Sequence, residues 1–293
     1  MPRQAFEALR YTAFSDLPDG GNPAGVVLGS SGLSDAEMLT IAAEIGYSET
    51  AFVDACPADA DQLGTDTRNF AVRYFSPQIE VPFCGHATIA AAIALAERIG
   101  VGHLLFETQA GPVPVAVHTD GGRLYATLTS VPASVEAVDT DHVTEVLSAL
   151  DWQASELDPG LPPRVAFAGA RHLVLAAGSR ARLASLDYDF ERLAAVMRVL
   201  DVVTVHLVWR ADDVTFHVRN AFPVGGIVED PATGAAAAAF GAYARELSLV
   251  APDAQLTLLQ GEEIGRPSTL AVTLLEGDPR VRVTGAGRRI STW

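Results

Sequence analysis

Two short segments place reactive or ligand-holding groups directly ahead of long apolar runs. VPFCGHATIAAAIAL, residues 81–95, sets Cys84, Gly85 and His86 before an alanine-rich stretch; VEDPATGAAAAAFGAY, residues 228–243, sets Asp230 and Gly234 before another. A helix that is apolar on every side must be buried. Its N-terminus carries unpaired N–H groups and a partial positive charge, which suit a carboxylate. The amides at Gly85–His86 and Gly234–Ala235 are therefore candidate carboxylate clamps, with glycine letting a ligand approach the backbone. Singly, each glycine reads better as a packing residue; the recurrence favours a site.

Proton chemistry needs a further group. GYSETAFV, residues 46–53, puts Glu49 between a helix stop and an apolar strand. A carboxyl in an apolar setting keeps its proton more readily, which suits a proton shuttle, although a glutamate before a strand is more often a solvated loop residue. Asp230 serves equally well as a helix cap or turn residue. His86 either handles a proton, orients a carboxylate, or makes a hydrogen bond at the helix start.

These groups must be positioned by an alternation of short elements. FEALRYTAF, TAFVDA, NFAVRYF, LLFETQ, PVPVAV and LYATLT read as strands. SDAEMLTIAAEIGY reads as a helix, with Ser34 and Glu37 as a capping box, Met38, Ile41, Ala42 and Ile45 on one face, and Gly46 as its stop. The second half repeats the order. DTDHVTEVLSAL is a helix, followed by HLVLAAG, VVTVHLVW and VTFHVRNAF as strands, the second apolar helix, and QLTLLQG, TLAVTLLE and RVRVTG. No helix is assigned between HLVLAAG and VVTVHLVW.

The repeat has a register. FAVR at 70–73 matches FHVR at 216–219, and Pro77 matches Pro223, all at an offset of 146; Gly85 matches Gly234 at 149, which implies a three-residue insertion. A duplicated α+β chain follows, with two similar lobes, each wrapping sheet around one apolar helix. The lobes are expected at 1–122, with 281–293 returning to the first, and at 123–280. A pseudo-two-fold arrangement would turn both helix mouths into one cleft.

Composition narrows the function. The 293 residues carry 20 Lys+Arg against 36 Asp+Glu, a net charge of −16. That balance argues against nucleic acid, which needs clustered cations, but not against a small anion held by local amides. No apolar run is long enough to span a membrane, and MPRQAFEALRYTAF lacks the apolar core of a signal peptide. Two cysteines, Cys56 and Cys84, make no disulfide framework, so a reducing cytoplasm is the expected setting. The seven histidines show no HxH or HExxH spacing, and no GxGxxG, Walker-A or GxSxG string occurs; no metal and no cofactor is expected.

GNPAGVVL, GYSETAFV, FSPQIEVPFCGHATIAAA, EDPATGAAA and QGEEIGRPSTLAV, in this order across nearly the whole chain, resemble the PhzF family of phenazine-biosynthesis isomerases. The resemblance implies the diaminopimelate-epimerase fold, two similar lobes each a curved or barrel-like sheet around a central helix. It implies a cofactor-independent homodimeric isomerase that moves a proton within a dihydro-hydroxyanthranilate-type acid, in secondary metabolism. It places the catalytic groups at Glu49, His86 and Asp230, with Gly85, Gly234 and Ala235 holding the substrate. Many relatives carry serine where this chain has Ala235, so a hydroxyl contact is lost while the backbone N–H remains. Racemases and epimerases of this fold use two thiols; Cys84 sits at the first place, and Pro231 falls at the second. Half of a two-thiol site is missing, and Cys84 reads as a small buried residue. A racemase, or a small-acid-binding protein without catalysis, are the competing expectations.

Overall fold

The computed structural model describes residues 6–56 and 67–291; the first five residues, read above for a leader, and the last two of the returning segment lie outside the described residues. The chain divides into two compact units, one running to Thr129 and resuming at Thr284, the other Ser130–Val283.

In the first unit, β1 (Glu7–Ala13) and β2 (Asn22–Leu28) form a hairpin, and α1 (Asp35–Ile45) crosses to β3 (Thr50–Ala55), parallel to β2. β4 (Thr67–Phe75) lies antiparallel to β3, and the two-residue β5 (Glu80–Val81) folds back on it. α2 (Gly85–Ile99) then crosses to β6 (Gly102–Thr108), parallel to β4, followed by β7 (Gly111–Asp120) and β8 (Arg123–Thr129). The segment Arg282–Arg289 pairs with both β8 and β1 and closes an eight-stranded barrel.

α2 fills this barrel. Every residue from His86 to Ala96 is buried, against β1, β2, β3, β7 and β8. Alanines let the strands close on it, and so does Gly287, where a Cβ would stand 2.8 Å from Ile93 Cγ1. α1 packs outside, with Met38, Ala42 and Ile45 on Val27, Phe52 and Phe75. Its boundaries follow the sequence: the Ser34–Glu37 capping box forms, and Gly46 ends the helix at φ 77° with its N–H on Ala42.

The second unit contains β9 (Ser134–Ala137), α3 (Thr140–Ala149), β10 (Arg164–Phe167), β11 (Arg171–Ala176), α4 (Arg180–Ala184), α5 (Phe190–Leu200), β12 (Thr204–Arg210), β13 (Thr215–Ala221), β14 (Glu229–Asp230), α6 (Gly234–Glu246), β15 (Gln255–Gln260) and β16 (Ser268–Thr273), before β17 (Arg282–Arg289) returns. Its pairings repeat those of the first. β11–β12 and β13–β15 are parallel, like β2–β3 and β4–β6, and β14 folds on β13 as β5 does on β4. α6 takes the place of α2, with Ala236–Ala244 buried throughout. Gly241 serves the same end as Gly287: a Cβ there would lie 2.7 Å from Val272 Cγ1. The sequence reading missed α4 and α5. Their signals were present, Ser179 and Asp189 as side-chain caps and Leu193, Ala194, Val196 and Met197 as the buried face. α3 and α5 cover the outer face of β10–β12.

The matched arginines of the repeat do the same work. Arg73 makes a bidentate pair with Glu80, and Arg219 one with Glu229. The arginines are related by 146 and the glutamates by 149, so the three-residue insertion falls between them. Each pair ties the two-residue strand ahead of a central helix to the longer strand beside it. The second pair is buried, at 6% and 4% side-chain exposure against 37% and 23% for the first.

Period-two alternation splits β12. Val205 and Leu207 join the outer layer, while His206 faces α6, its ring 5.6 Å from that of Phe240. Thr204 donates to Asn220 Oδ1 at 2.8 Å, so Nδ1 of His172 donates to Thr204 at 2.8 Å and Nδ1 of His206 to Asn220 at 3.1 Å. Both Nε2 atoms are buried with no partner among the described residues, so a proton there would be an unpaired buried charge. Burial, with His206 adjacent, draws His172 down to about 3, and burial draws His206 down to about 4. An unfolded imidazole titrates near about 6.5. Below that value the unfolded chain gains protons that the native chain refuses, so stability is complete above about pH 6.5 and is lost as pH falls toward the folded values. Melting temperature is expected to fall between pH 6.5 and 5, above the range of ordinary carboxylates. The double variant His172→Gln/His206→Gln should flatten that slope; equal slopes for variant and parent would contradict the assignment.

Candidate active site

The mouth of α2 is built by three connections. α1 stops at Gly46, and the chain turns through Ser48 and Glu49 into β3. The Glu49 carbonyl accepts from Gly25 N–H at 3.1 Å, which fixes the residue to the middle of β2. From the other side, β5 and the Arg73–Glu80 pair deliver Cys84 to the N-cap of α2.

Three side chains meet there. Glu49 Oε2 lies 3.4 Å from His86 Nε2 and 3.7 Å from Cys84 Sγ, and Sγ lies 3.4 Å from His86 Nδ1. Ser48 Oγ stands 3.5 Å from His86 Nε2. His86 and Cys84 are buried, while the Glu49 side chain keeps 18% of its surface exposed. A carboxylate held in this way reaches a small molecule yet is largely withdrawn from bulk water. Its neighbours are a thiol and an imidazole, and no arginine or lysine is among those contacts, so the carboxylate is not tied up in a strong ion pair. Such a group can take a proton and give it back.

The mouth of α6 is a polar knot. Thr233 donates to Asp230 Oδ2 at 2.5 Å. Gln260 locks the loop through its amide: Nε2 donates to the Asp230 carbonyl at 2.7 Å, and Oε1 accepts from Thr233 N–H at 3.1 Å. Ser268 donates to the Pro231 carbonyl at 3.2 Å. Gly261, at φ 79°, has no room for a Cβ, which would stand 2.3 Å from the Arg266 carbonyl oxygen and 2.8 Å from that of Pro231. The buried Arg219–Glu229 pair holds the residue before Asp230. QGEEIGRPS therefore works as a cradle for EDPATG. Gln260 and Thr233 were not singled out in the sequence, because their role depends on a contact 27 residues apart.

Helix capping separates these two mouths from those of the other α-helices. Ser34, Asp139, Ser179 and Asp189 each cap α1, α3, α4 and α5 with a side-chain oxygen. Cys84 and Thr233, at the N-caps of α2 and α6, make no such bond. An N-cap side chain would claim a first-turn N–H; at these two helices those donors are left to something else. Gly85 and His86 stand in that first turn in one unit, Gly234 and Ala235 in the other.

The repeat also shows what is not duplicated. Ala51 pairs with Tyr74 and His206 with Asn220, and Tyr74 and Asn220 are related by the 146 offset. Glu49, two residues before Ala51, therefore corresponds to Thr204, two before His206. The base-like carboxylate occurs in one unit only; its counterpart is a buried hydroxyl bonded to His172 and Asn220. Among the described residues, Glu49, Cys84 and His86 also form a metal-type donor set, with one ligand atom of each within 4.8 Å of the others. Sequence spacing did not reveal it, because Glu49 and Cys84 stand 35 residues apart.

Comparison with known proteins places this architecture. The sequence model described as phenazine biosynthesis-like protein, PhzC-PhzF, matches residues 11–291. The chain is 31% identical over 291 residues to the uncharacterised isomerase YddE of Escherichia coli O157:H7, covering 96% of this chain and 95% of that one. It is 31% identical over 284 residues to the trans-2,3-dihydro-3-hydroxyanthranilate isomerase of Pseudomonas aeruginosa, covering 95% and 91%. Among solved structures it is similar to a predicted epimerase of Pseudomonas aeruginosa, with a TM-score of 0.83, 27% identity and 98% of each chain covered. The fold is the diaminopimelate-epimerase type, and the chain belongs to the phenazine biosynthesis-like PhzC–PhzF family as an enzyme of the isomerase class.

Proposed function

We propose that the protein is a cofactor-independent isomerase that moves a proton within a small, cyclic, unsaturated amino or hydroxy acid. The observation that carries this reading is the Glu49 carboxylate, partly exposed and flanked by His86 and Cys84 at the uncapped mouth of α2. Glu49 removes a proton from a carbon activated by the conjugated system, the double bonds shift, and the same carboxyl returns the proton to another carbon on the same face. Atoms and charge balance within the substrate, and a ketone tautomer follows by enol–keto exchange. His86 and Asp230 hold and polarise the amino or hydroxyl groups. Amides at Gly85–His86 and Gly234–Ala235 fix the carboxylate, so orientation and local dipoles lower the barrier. That both helix mouths serve one molecule is part of the proposal. A dihydro-hydroxyanthranilate-type acid is the substrate class supported by the Pseudomonas relative. Ala235 removes a hydroxyl contact that serine would make, so the substrate's carboxylate rests on backbone donors there. The family resemblance supports a homodimer and a role in secondary metabolism, and two free cysteine thiols suit a reducing cytoplasm.

Glu49→Gln keeps the shape and polarity of the side chain but removes the shuttle. The expected result is a fall in kcat of about 10³-fold, within the range of general acid–base contributions, with KM changed by less than about threefold. Turnover within about threefold of the parent would eliminate Glu49 as the base.

Cys84 touches Glu49, yet its racemase partner position is Pro231. Cys84→Ser and Cys84→Ala should both stay active, within about fivefold in kcat, since a thiol acid is not required by a one-base transfer. Loss of turnover in both, with circular dichroism unchanged, would instead put the thiol in the chemistry and favour a racemase.

A further inference from the structure

We infer that the mouth of α2 is a binding site for a thiophilic divalent cation, zinc above all, held by Glu49, Cys84 and His86. The three donor atoms form a triangle: Sγ to Nε2 is 3.8 Å, Nε2 to Oε2 is 3.4 Å, and Sγ to Oε2 is 3.7 Å. Tetrahedral zinc with ordinary bond lengths sets sulfur–nitrogen, nitrogen–oxygen and sulfur–oxygen edges of about 3.6, 3.4 and 3.6 Å. Each observed edge is within about 0.2 Å of its ideal, so the three donor atoms already stand at about the mutual spacing a tetrahedral ion requires. The donors are the types zinc selects, a thiolate, an imidazole and a carboxylate. Burial of Cys84 and His86 limits competition from water.

One adjustment is required. Sγ also lies 3.4 Å from His86 Nδ1, so it does not stand in the line of the Nε2 lone pair. The imidazole must turn on its side-chain bonds to aim Nε2 at the metal. Binding releases the Cys84 proton as the sulfur becomes a thiolate. Three protein ligands leave the fourth position to water or to a substrate carboxylate, the pattern of an open zinc site.

The consequence is inhibition. Coordination occupies the Glu49 lone pairs that the proton transfer uses, so zinc at stoichiometric amounts stops turnover and a chelator restores it. This consequence rests on Glu49 being the base; the binding itself does not.

The full chain, reduced and freed of metal, is titrated with Zn²⁺ by calorimetry and with Co²⁺ by absorption. Expected are one Zn²⁺ per chain with a Kd of about 1 µM or tighter, a thiolate-to-cobalt band, and the intense visible bands of four-coordinate Co²⁺. Cys84→Ala should abolish the thiolate band and weaken Zn²⁺ by about 100-fold or more, at least the effect of losing an outer partner. Glu49→Gln should weaken binding while keeping the band, and Cys56→Ala should change neither. Circular dichroism of each variant separates lost binding from lost folding. Absence of Zn²⁺ binding by the parent above the Cys84→Ala level, or a thiolate band that survives in Cys84→Ala, would overturn the site. If Zn²⁺ binds as expected and turnover continues undisturbed, the inhibitory role and the assignment of Glu49 as base fall together. If Zn²⁺ fails to bind while Glu49→Gln is inactive, the metal site alone is lost.

Discussion

A helix with apolar side chains on every side cannot lie on a surface, and this one constraint organises each unit. α2 and α6 are each buried over most of their length. Strands must surround such a helix, and small residues must let them come close. The alanines do so from the helix, Gly287 does so from a strand facing α2, and Gly241 does so within α6. Once the helix is enclosed, its N-terminus is where unpaired donors meet polar side chains. Chemistry collects there because the rest of the helix offers only methyl groups.

Electrostatics then sets the approach to each mouth. Arg73–Glu80 and Arg219–Glu229 join the same two strands in both units, although one pair is half-exposed and the other buried. An exposed pair contributes about 0–1 kcal/mol, whereas removing one partner of a buried pair costs about 3–5 kcal/mol. The second unit thus depends far more on its pair, and Asp230 follows directly on Glu229. Gln260 adds a second constraint by bonding both Asp230 and Thr233. The first unit instead carries the carboxylate. Its counterpart, Thr204, is sealed into a neutral network with His172, His206 and Asn220. At matching places one unit thus carries a partly exposed carboxylate and the other a buried hydroxyl within a hydrogen-bonded polar network.

Local signals carried much of the fold. The capping box at Ser34, the stop at Gly46 and the two apolar runs needed only neighbouring residues to be read, and each formed. The 146–149 repeat was legible because arginine, proline and glycine recur at fixed offsets. What was not legible depends on distance in the chain. The convergence of Glu49 with Cys84 and His86 requires β3 and the start of α2 to meet. The locking of Asp230 by Gln260 requires β15 to return beside β14. α4 and α5 were passed over although their signals were local: Ser179 and Asp189 cap them, and α5 carries Leu193, Ala194, Val196 and Met197 at helical spacing. The five motifs contain Glu49, His86, Asp230 and Gly234; which atoms touch there came only from the fold.

The most direct measurement follows the transferred hydrogen. Trans-2,3-dihydro-3-hydroxyanthranilate, the substrate proposed above, is deuterated at the carbon that would give up its proton and incubated with the enzyme in ordinary water, and the first product formed is examined by mass spectrometry and NMR. If one carboxylate carries the proton from carbon to carbon, a measurable share of the deuterium appears at the receiving carbon. Product formed at the enzyme's full rate with only solvent hydrogen at that carbon, from the earliest turnovers, would contradict a one-base transfer by Glu49.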